Sequence, residues 1–208
     1  MRFTSRLIEA YEKYALERNE GEAQEFKERE KEMFLNYLGA EPGKSLLEIG
    51  CGPGHDARSF QEKGFDVFAI DNAPTMVKLC REKGVAADLL DSYDLDQIER
   101  TFDAVFSMNC LLHIPGSDLP RILDLIRAKM NDGGLFYLGI WGGDDFEGIW
   151  EGDRYEPKRF FSFHRPKQLL EYVQRVFTLV YYRRIEPWDS AVFNSMILRK
   201  DSPIKETQ

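Results

Sequence analysis

Apolar residues recur along this chain in two rhythms, and their alternation predicts its architecture. Near the start, Leu7, Ile8, Tyr11 and Ala15 fall on one face of a helix that Thr4 or Ser5 is placed to cap. Phe26, Met33, Phe34, Tyr37 and Leu38 then form the stripe of a second helix among many Glu, Lys and Arg residues. Gly39 and the Pro42-Gly43 turn end that region. Short apolar runs suited to buried strands follow at residues 46–49, 65–71, 84–87, 102–108 and 135–141. Between them lie helical patterns at 57–63, from Pro74 onward, and at 119–130, where Leu119, Ile122, Leu123 and Ile126 share a face and Asn131-Asp132-Gly133-Gly134 is the stop.

Strands that alternate with helices predict a parallel sheet built through right-handed crossovers. The pattern lapses over residues 142–164, a loop too rich in aromatic residues to read as disordered. Pro166 opens another helix through Leu169, Leu170 and Val173. Two strands, 177–185 and 191–198, then close the chain around Pro187-Trp188-Asp189-Ser190, and so short a connection predicts an antiparallel hairpin. The fold class expected is α/β, with helices on both faces of the sheet and a reversed terminal hairpin. Residues 1–40 form a helical cap on the same domain, 41–200 its body, and 201–208 a polar tail.

Composition is consistent with this picture and narrows the partners. At 208 residues, 43% hydrophobic and 31% charged, the chain has room for one soluble domain with a full core. A net charge of −8 without a basic stripe argues against nucleic acid. Cys51, Cys80 and Cys110 have neither metal-site nor disulfide-framework spacing, which favours a reducing cytoplasm. No long apolar run and no signal peptide are present, so no membrane partner is expected. The expected assembly is a monomer or a homodimer.

The candidate chemistry centres on Leu46-Leu47-Glu48-Ile49-Gly50-Cys51-Gly52-Pro53-Gly54, a strand that breaks into alternating glycines before a helix from about His55. Its glycines stand at the first, third and fifth places, not the first, third and sixth of the dinucleotide fingerprint, and no Gly-Lys-Ser/Thr follows to make a phosphate loop. Asp71, about 20 residues on at the end of the second strand, is placed to accept hydrogen bonds from both hydroxyls of a ribose.

Glu48-Ile49-Gly50-Cys51-Gly52-Pro53-Gly54 resembles motif I of the class I S-adenosylmethionine-dependent methyltransferases. The resemblance covers residues 40–200, by motifs in its first half and by topology in its second. It implies a seven-stranded Rossmann-like methyltransferase sheet and S-adenosylmethionine as cofactor. Glu48, Gly50, Cys51, Gly52, Gly54 and Asp71 would then be cofactor contacts. Asp71-Asn72-Ala73-Pro74-Thr75-Met76 is similar to the family's Asp-x-Ser-x-x-Met segment, with Ala73 in place of the capping Ser; it adds Asn72, and Met76 near the adenine. Asp88 and Leu89, after the third strand, are implied at the adenine edge. Asn109 and Leu111, after a Phe-Asp-x-Val phrase, are implied at the methyl-transfer end. Metal ligands are not expected, since the acids near Asp88 lie on a polar loop without His or Cys.

The reaction implied is methyl transfer to a small-molecule acceptor whose O, N or S atom is left open. His113 is the candidate general base, against a purely structural reading. Tyr11 and Tyr14 from the cap, and Trp141, Trp150, Tyr155 and Phe161 from the 142–164 stretch, are candidate pocket walls beneath a lid. Arg159 and His164 suit an anionic acceptor, whereas Asp144, Asp145, Glu147 and Glu151 suit an amine. Two alternatives stand beside this reading: a binding protein without catalysis, acting as a sensor or partner subunit, and a nicotinamide oxidoreductase.

Overall fold

The computed structural model describes residues 3–39, 44–188 and 191–202. The Pro42-Gly43 turn, the Asp189-Ser190 part of the terminal connection and most of the polar tail lie outside those residues. Strands β1 (Ser45–Ile49), β2 (Asp66–Asp71), β3 (Ala86–Leu89), β4 (Phe102–Met108), β5 (Met130–Gly142), β8 (Thr178–Ile185) and β9 (Val192–Arg199) form one seven-stranded sheet. Its order is β3-β2-β1-β4-β5-β9-β8. The first five pair in parallel, and β9 runs antiparallel to both β5 and β8. The order reverses between β1 and β4, and the carboxyl ends of strands at such a switch point form the crevice where α/β sheets hold ligands.

Both sheet faces are apolar because the strands are covered on both sides. Leu46, Val67, Ala69, Ala104, Phe106 and Tyr137 pack under α3 (Glu25–Leu38), α4 (His55–Glu62) and α5 (Pro74–Glu82). Leu47, Val105, Phe136, Leu138 and Met196 pack under α6 (Leu119–Ala128) and α7 (Pro166–Gln174).

The structure departs from the pattern reading in three places. The cap holds three helices: α1 (Phe3–Lys13), α2 (Ala15–Glu20) and α3, with a break at Tyr14. The charged residues of α3 are not all solvated. Lys31 is buried against Glu28 and Asp56, and Glu30 is buried against Tyr181 and Arg183, so these pairs fasten α3 to α4 and β8. The 142–164 stretch contains a two-stranded antiparallel sheet, β6 (Phe146–Ile149) with β7 (Phe160–Phe163). Its strands, four residues each, are too short to show an alternation, and Glu147 and Gly148 interrupt β6.

Candidate active site

The glycine loop is held by its own backbone. Gly50 and Cys51 both donate to the Ile70 carbonyl at the end of β2, at 2.9 and 3.0 Å. Gly50, Gly52 and Gly54 have φ of 77°, 53° and 85°, values that L side chains rarely adopt. A Cβ on Gly50 would stand 2.5 Å from the Cys110 side chain, and one on Gly54 2.5 Å from the Cys80 sulfur. At Gly52 the nearest atom is Arg18 Nη2, 4.0 Å away, so this glycine faces open space. No side chain caps α4 where it leaves Gly54.

Asp71 closes the loop from the next strand. One of its oxygens accepts from the Gly52 amide at 2.8 Å and the other from the Ala73 amide at 2.9 Å. Burial raises the carboxyl, while those amides and the charge of Arg18 oppose the shift. A carboxylate offers about four lone-pair sites, so about two remain for a ligand. The cap that Ala73 cannot give α5 comes from α1, where Glu12 accepts from the Thr75 amide and hydroxyl at 2.7 Å each. Asn72 donates to Asp91 at 2.9 Å.

Several expected contacts fall elsewhere. Asp88 lies inside β3 and pairs with exposed Arg81. It borders a hollow of about 600 Å³ lined also by Gln97, Glu99 and Arg100, which precede β4 at the opposite edge of the sheet from the glycine loop. The sequence reading ended this strand two residues early, and Asp91 is the acid that meets Asn72. Met76 and Leu111 are each 1% exposed in packed cores and offer a ligand no free surface. Leu89 is exposed and in register with Asp71.

Seven buried side-chain polar atoms find no partner among the described residues, and they include Glu48 Oε2, Asn109 Oδ1 and Arg18 Nε. Burial pushes the Glu48 carboxyl well above the usual range. Asn109 is held at φ 57° at the end of β4, its amide bonded to the Gly139 carbonyl at 2.8 Å. Unpartnered buried polar atoms are costly, and beside a glycine cradle they fit a polar ligand such as the cofactor.

The cap and the β6–β7 hairpin meet above this floor. Arg159 donates through Nε and Nη2 to the two oxygens of Asp153, at 2.8 Å each, and through Nη1 to the Tyr11 hydroxyl at 2.9 Å. Its guanidinium lies over the Tyr155, Phe161 and Tyr11 rings at 4.1, 5.0 and 5.1 Å. Arg159 is therefore paired with the Asp153 carboxylate, which meets its charge where an anionic acceptor group is expected, and one N–H on each Nη is left. Tyr11 Oη lies 2.9 Å from His113 Nε2, and His113 Nδ1 lies 2.7 Å from the Phe160 carbonyl. The carbonyl can only accept, so Nδ1 carries the proton and Nε2 receives the Tyr11 hydroxyl.

Burial, with the charge of Arg159, pushes His113 down to about 3. The candidate base is thus a neutral anchor with both nitrogens engaged. Tyr14 stacks on Tyr155 at 4.3 Å, and Tyr155 Oη accepts from Arg18 at 3.3 Å.

The expected aromatic wall divides. Trp150 and Phe161 pack together with Phe163 on one face of the hairpin. Trp141 joins Phe26, Phe193 and Trp188 at the end of β5. His164 is buried on the α7 side with Ser162 and Tyr172, apart from Arg159.

Sequence reasoning missed Arg18 and Lys27. Arg18 continues the Tyr11, Tyr14 face by one turn, a signal the stripe ending at Ala15 concealed. Lys27 lies over Trp141 at 5.5 Å with no hydrogen-bond or ion-pair partner among the described residues, and burial followed by the charge of Arg18 pushes it down to about 8.

This geometry is that of a class I methyltransferase, and the comparisons agree. A family profile described as "Methyltransferase domain" matches residues 22–186. The chain belongs to that family of S-adenosylmethionine-dependent methyltransferases. It is similar to the 1,6-didemethyltoxoflavin-N1-methyltransferase of Burkholderia thailandensis, with a TM-score of 0.75, 21% identity, and coverage of 96% of this chain and 87% of that one. It is also similar to the magnesium protoporphyrin IX methyltransferase of Synechocystis PCC 6803, with a TM-score of 0.72, 13% identity, and coverage of 97% and 98%. At these identities the likeness is one of fold. The ubiquinone biosynthesis O-methyltransferase of Xanthomonas campestris pv. campestris is 31% identical over 114 residues, which are 50% of this chain and 47% of that protein. The chain thus spans about half the length of the curated relatives it matches. Among the described residues no helix is long and apolar enough to cross a membrane.

Proposed function

We propose that the chain transfers a methyl group from S-adenosylmethionine to a small-molecule acceptor held between the glycine loop and the cap–hairpin clasp. The observation that carries this reading is the open cradle at Gly52, bordered by Asp71 and Arg18, together with buried Glu48 and Asn109 oxygens that have no partner among the described residues. Asp71 holds the ribose with its free lone pairs. Arg18 and Lys27, two cations without a carboxylate partner among the described residues, receive the α-carboxylate, and Glu48 faces the α-ammonium end. When bound, the cofactor supplies a methyl carbon already activated by its sulfonium. The protein's share is to align the acceptor and exclude water, which Tyr11, Tyr14 and Tyr155 do by roofing the floor.

The similarity to a ubiquinone biosynthesis O-methyltransferase supports a small-molecule acceptor here. Family membership displaces the nicotinamide alternative. The test is transfer from methyl-labelled S-adenosylmethionine to a panel of phenols, nitrogen heterocycles and thiols. Label in at least one acceptor is expected. Tight cofactor binding with no transfer to any acceptor would favour the binding-protein reading instead.

A further inference from the structure

Asn109 is the one non-glycine among the described residues with a left-handed backbone, at φ 57°. Asn tolerates that region better than most residues, so the backbone accounts for the residue type. It does not account for the side chain. Asn109 Oδ1 is buried with no hydrogen-bond partner among the described residues, a cost that such an oxygen recovers only when a donor arrives.

The backbone that carries this oxygen is fixed from both sides. The Asn109 amide donates to the Gly139 carbonyl of β5 at 2.8 Å, and the side chain of the next residue, Cys110, lies 2.5 Å from the Cβ position of Gly50. Asn109 thus stands between the glycine loop and β5, at the carboxyl end of β4 where the sheet order reverses. The titratable groups of this edge and of the clasp above it are occupied. His113 has both nitrogens engaged, Tyr11 donates its own proton to His113, Asp153 is bonded to Arg159, and burial pushes the Cys110 thiol up.

We infer that Asn109 Oδ1 accepts an N–H of the methyl acceptor, which is a neutral primary or secondary amine. The inference rests on the methyltransferase reading above. A hydroxyl acceptor needs a base to take its proton as the new bond forms, whereas a neutral amine reacts through a lone pair it already has. Oδ1 holds one N–H and leaves that lone pair free to attack. The nitrogen–carbon bond forms from the lone pair, and the carbon–sulfur bond breaks with its electrons going to sulfur. The product leaves as an ammonium ion and gives its extra proton to water. Glu48, whose Oε2 is also unpartnered, stays with the cofactor's ammonium in this arrangement.

The experiment compares wild type with Asn109→Gly and Asn109→Asp. Glycine keeps the left-handed backbone and removes the oxygen, while aspartate keeps an oxygen in place. Each protein is titrated with S-adenosylhomocysteine by calorimetry, and the resulting complex with aniline. Transfer from methyl-labelled S-adenosylmethionine is then measured to aniline, phenol and thiophenol, which differ only in the acceptor atom. Wild type should label aniline faster than phenol or thiophenol. Asn109→Gly should bind S-adenosylhomocysteine within about threefold of wild type while its aniline affinity and its kcat/KM for aniline each fall about tenfold or more, and Asn109→Asp should recover part of that loss. Wild-type turnover of aniline by Asn109→Gly would overturn the inference, since glycine serves the backbone equally well. A loss of S-adenosylhomocysteine affinity of about tenfold in that variant would also overturn it, by giving Oδ1 to the cofactor. Binding of S-adenosylhomocysteine by wild type without labelling of aniline, or with faster labelling of phenol or thiophenol, would overturn the amine assignment. No binding by wild type would instead refute the methyltransferase reading.

Discussion

Acidification should weaken this protein in part through His113. The imidazole is sealed between Tyr11, Phe161 and the Phe160 carbonyl, and its folded-state value is pushed down to about 3 against about 6.5 in an unfolded chain. The fold thus favours the neutral ring. The stability this confers is fully present above about pH 6.5 and is lost as pH falls toward about 3. Between about pH 7.5 and about pH 5 the loss should be about 2 kcal/mol, close to 1.4 kcal/mol for each pH unit below 6.5. In urea that corresponds to a midpoint lower by roughly 1 M. The control is His113→Asn, which retains a donor for the Phe160 carbonyl and cannot ionise. Urea unfolding of both proteins at both pH values isolates the histidine, because titrating carboxylates contribute alike to each. Parallel losses in wild type and variant would refute the burial argument and restore His113 as a candidate base.

The remaining predictions concern the contacts that close the site. Asp153→Ala leaves the Arg159 cation buried without its carboxylate, and should destabilise the protein by about 3 kcal/mol or more in denaturant unfolding; a loss under about 1 kcal/mol would show that the ring contacts alone hold Arg159. Burial alone would raise the Asp153 carboxyl, but the hydrogen bonds and charge of Arg159 hold it below the usual value, so its contribution should persist above about pH 4 and fade below. Glu12→Ala removes the cap of α5 and should cost about 1 kcal/mol, with faster amide exchange at Thr75 as the local readout; unchanged exchange would mean that α1 is held to α5 by packing alone.

Local chemistry was legible in the sequence, and long-range partnership was not. The glycine loop, the Asp71 strand end and the terminal hairpin each follow from residues adjacent in the chain, and they define the sheet and its ligand-bearing edge. Asp88 reads as a loop acid because the sequence pattern ends β3 two residues early, whereas the strand continues through Leu89. Arg159 was read as an anion receptor because its partners, Asp153 across a turn and Tyr11 at the other end of the chain, form no local pattern. Glu12 capping α5 has the same cause. His113 reads as a base from its intrinsic pKa, and its burial and its two engaged nitrogens remove it from that role.

The account stands or falls on the crevice binding S-adenosylmethionine through Asp71. The decisive measurement is calorimetric titration of S-adenosylmethionine and S-adenosylhomocysteine into wild type and Asp71→Asn, with thermal melting alongside because Asp71 also bonds the Gly52 and Ala73 amides. Wild type should bind both ligands, and at 100 times the dissociation constant gain about 2.7 kcal/mol of stability. Asp71→Asn should still melt cooperatively, with affinity lower by about 1.5 to 3 kcal/mol, which is more than tenfold. No binding heat or melting shift in the wild type at millimolar ligand, or equal affinity in the two proteins, would contradict the account.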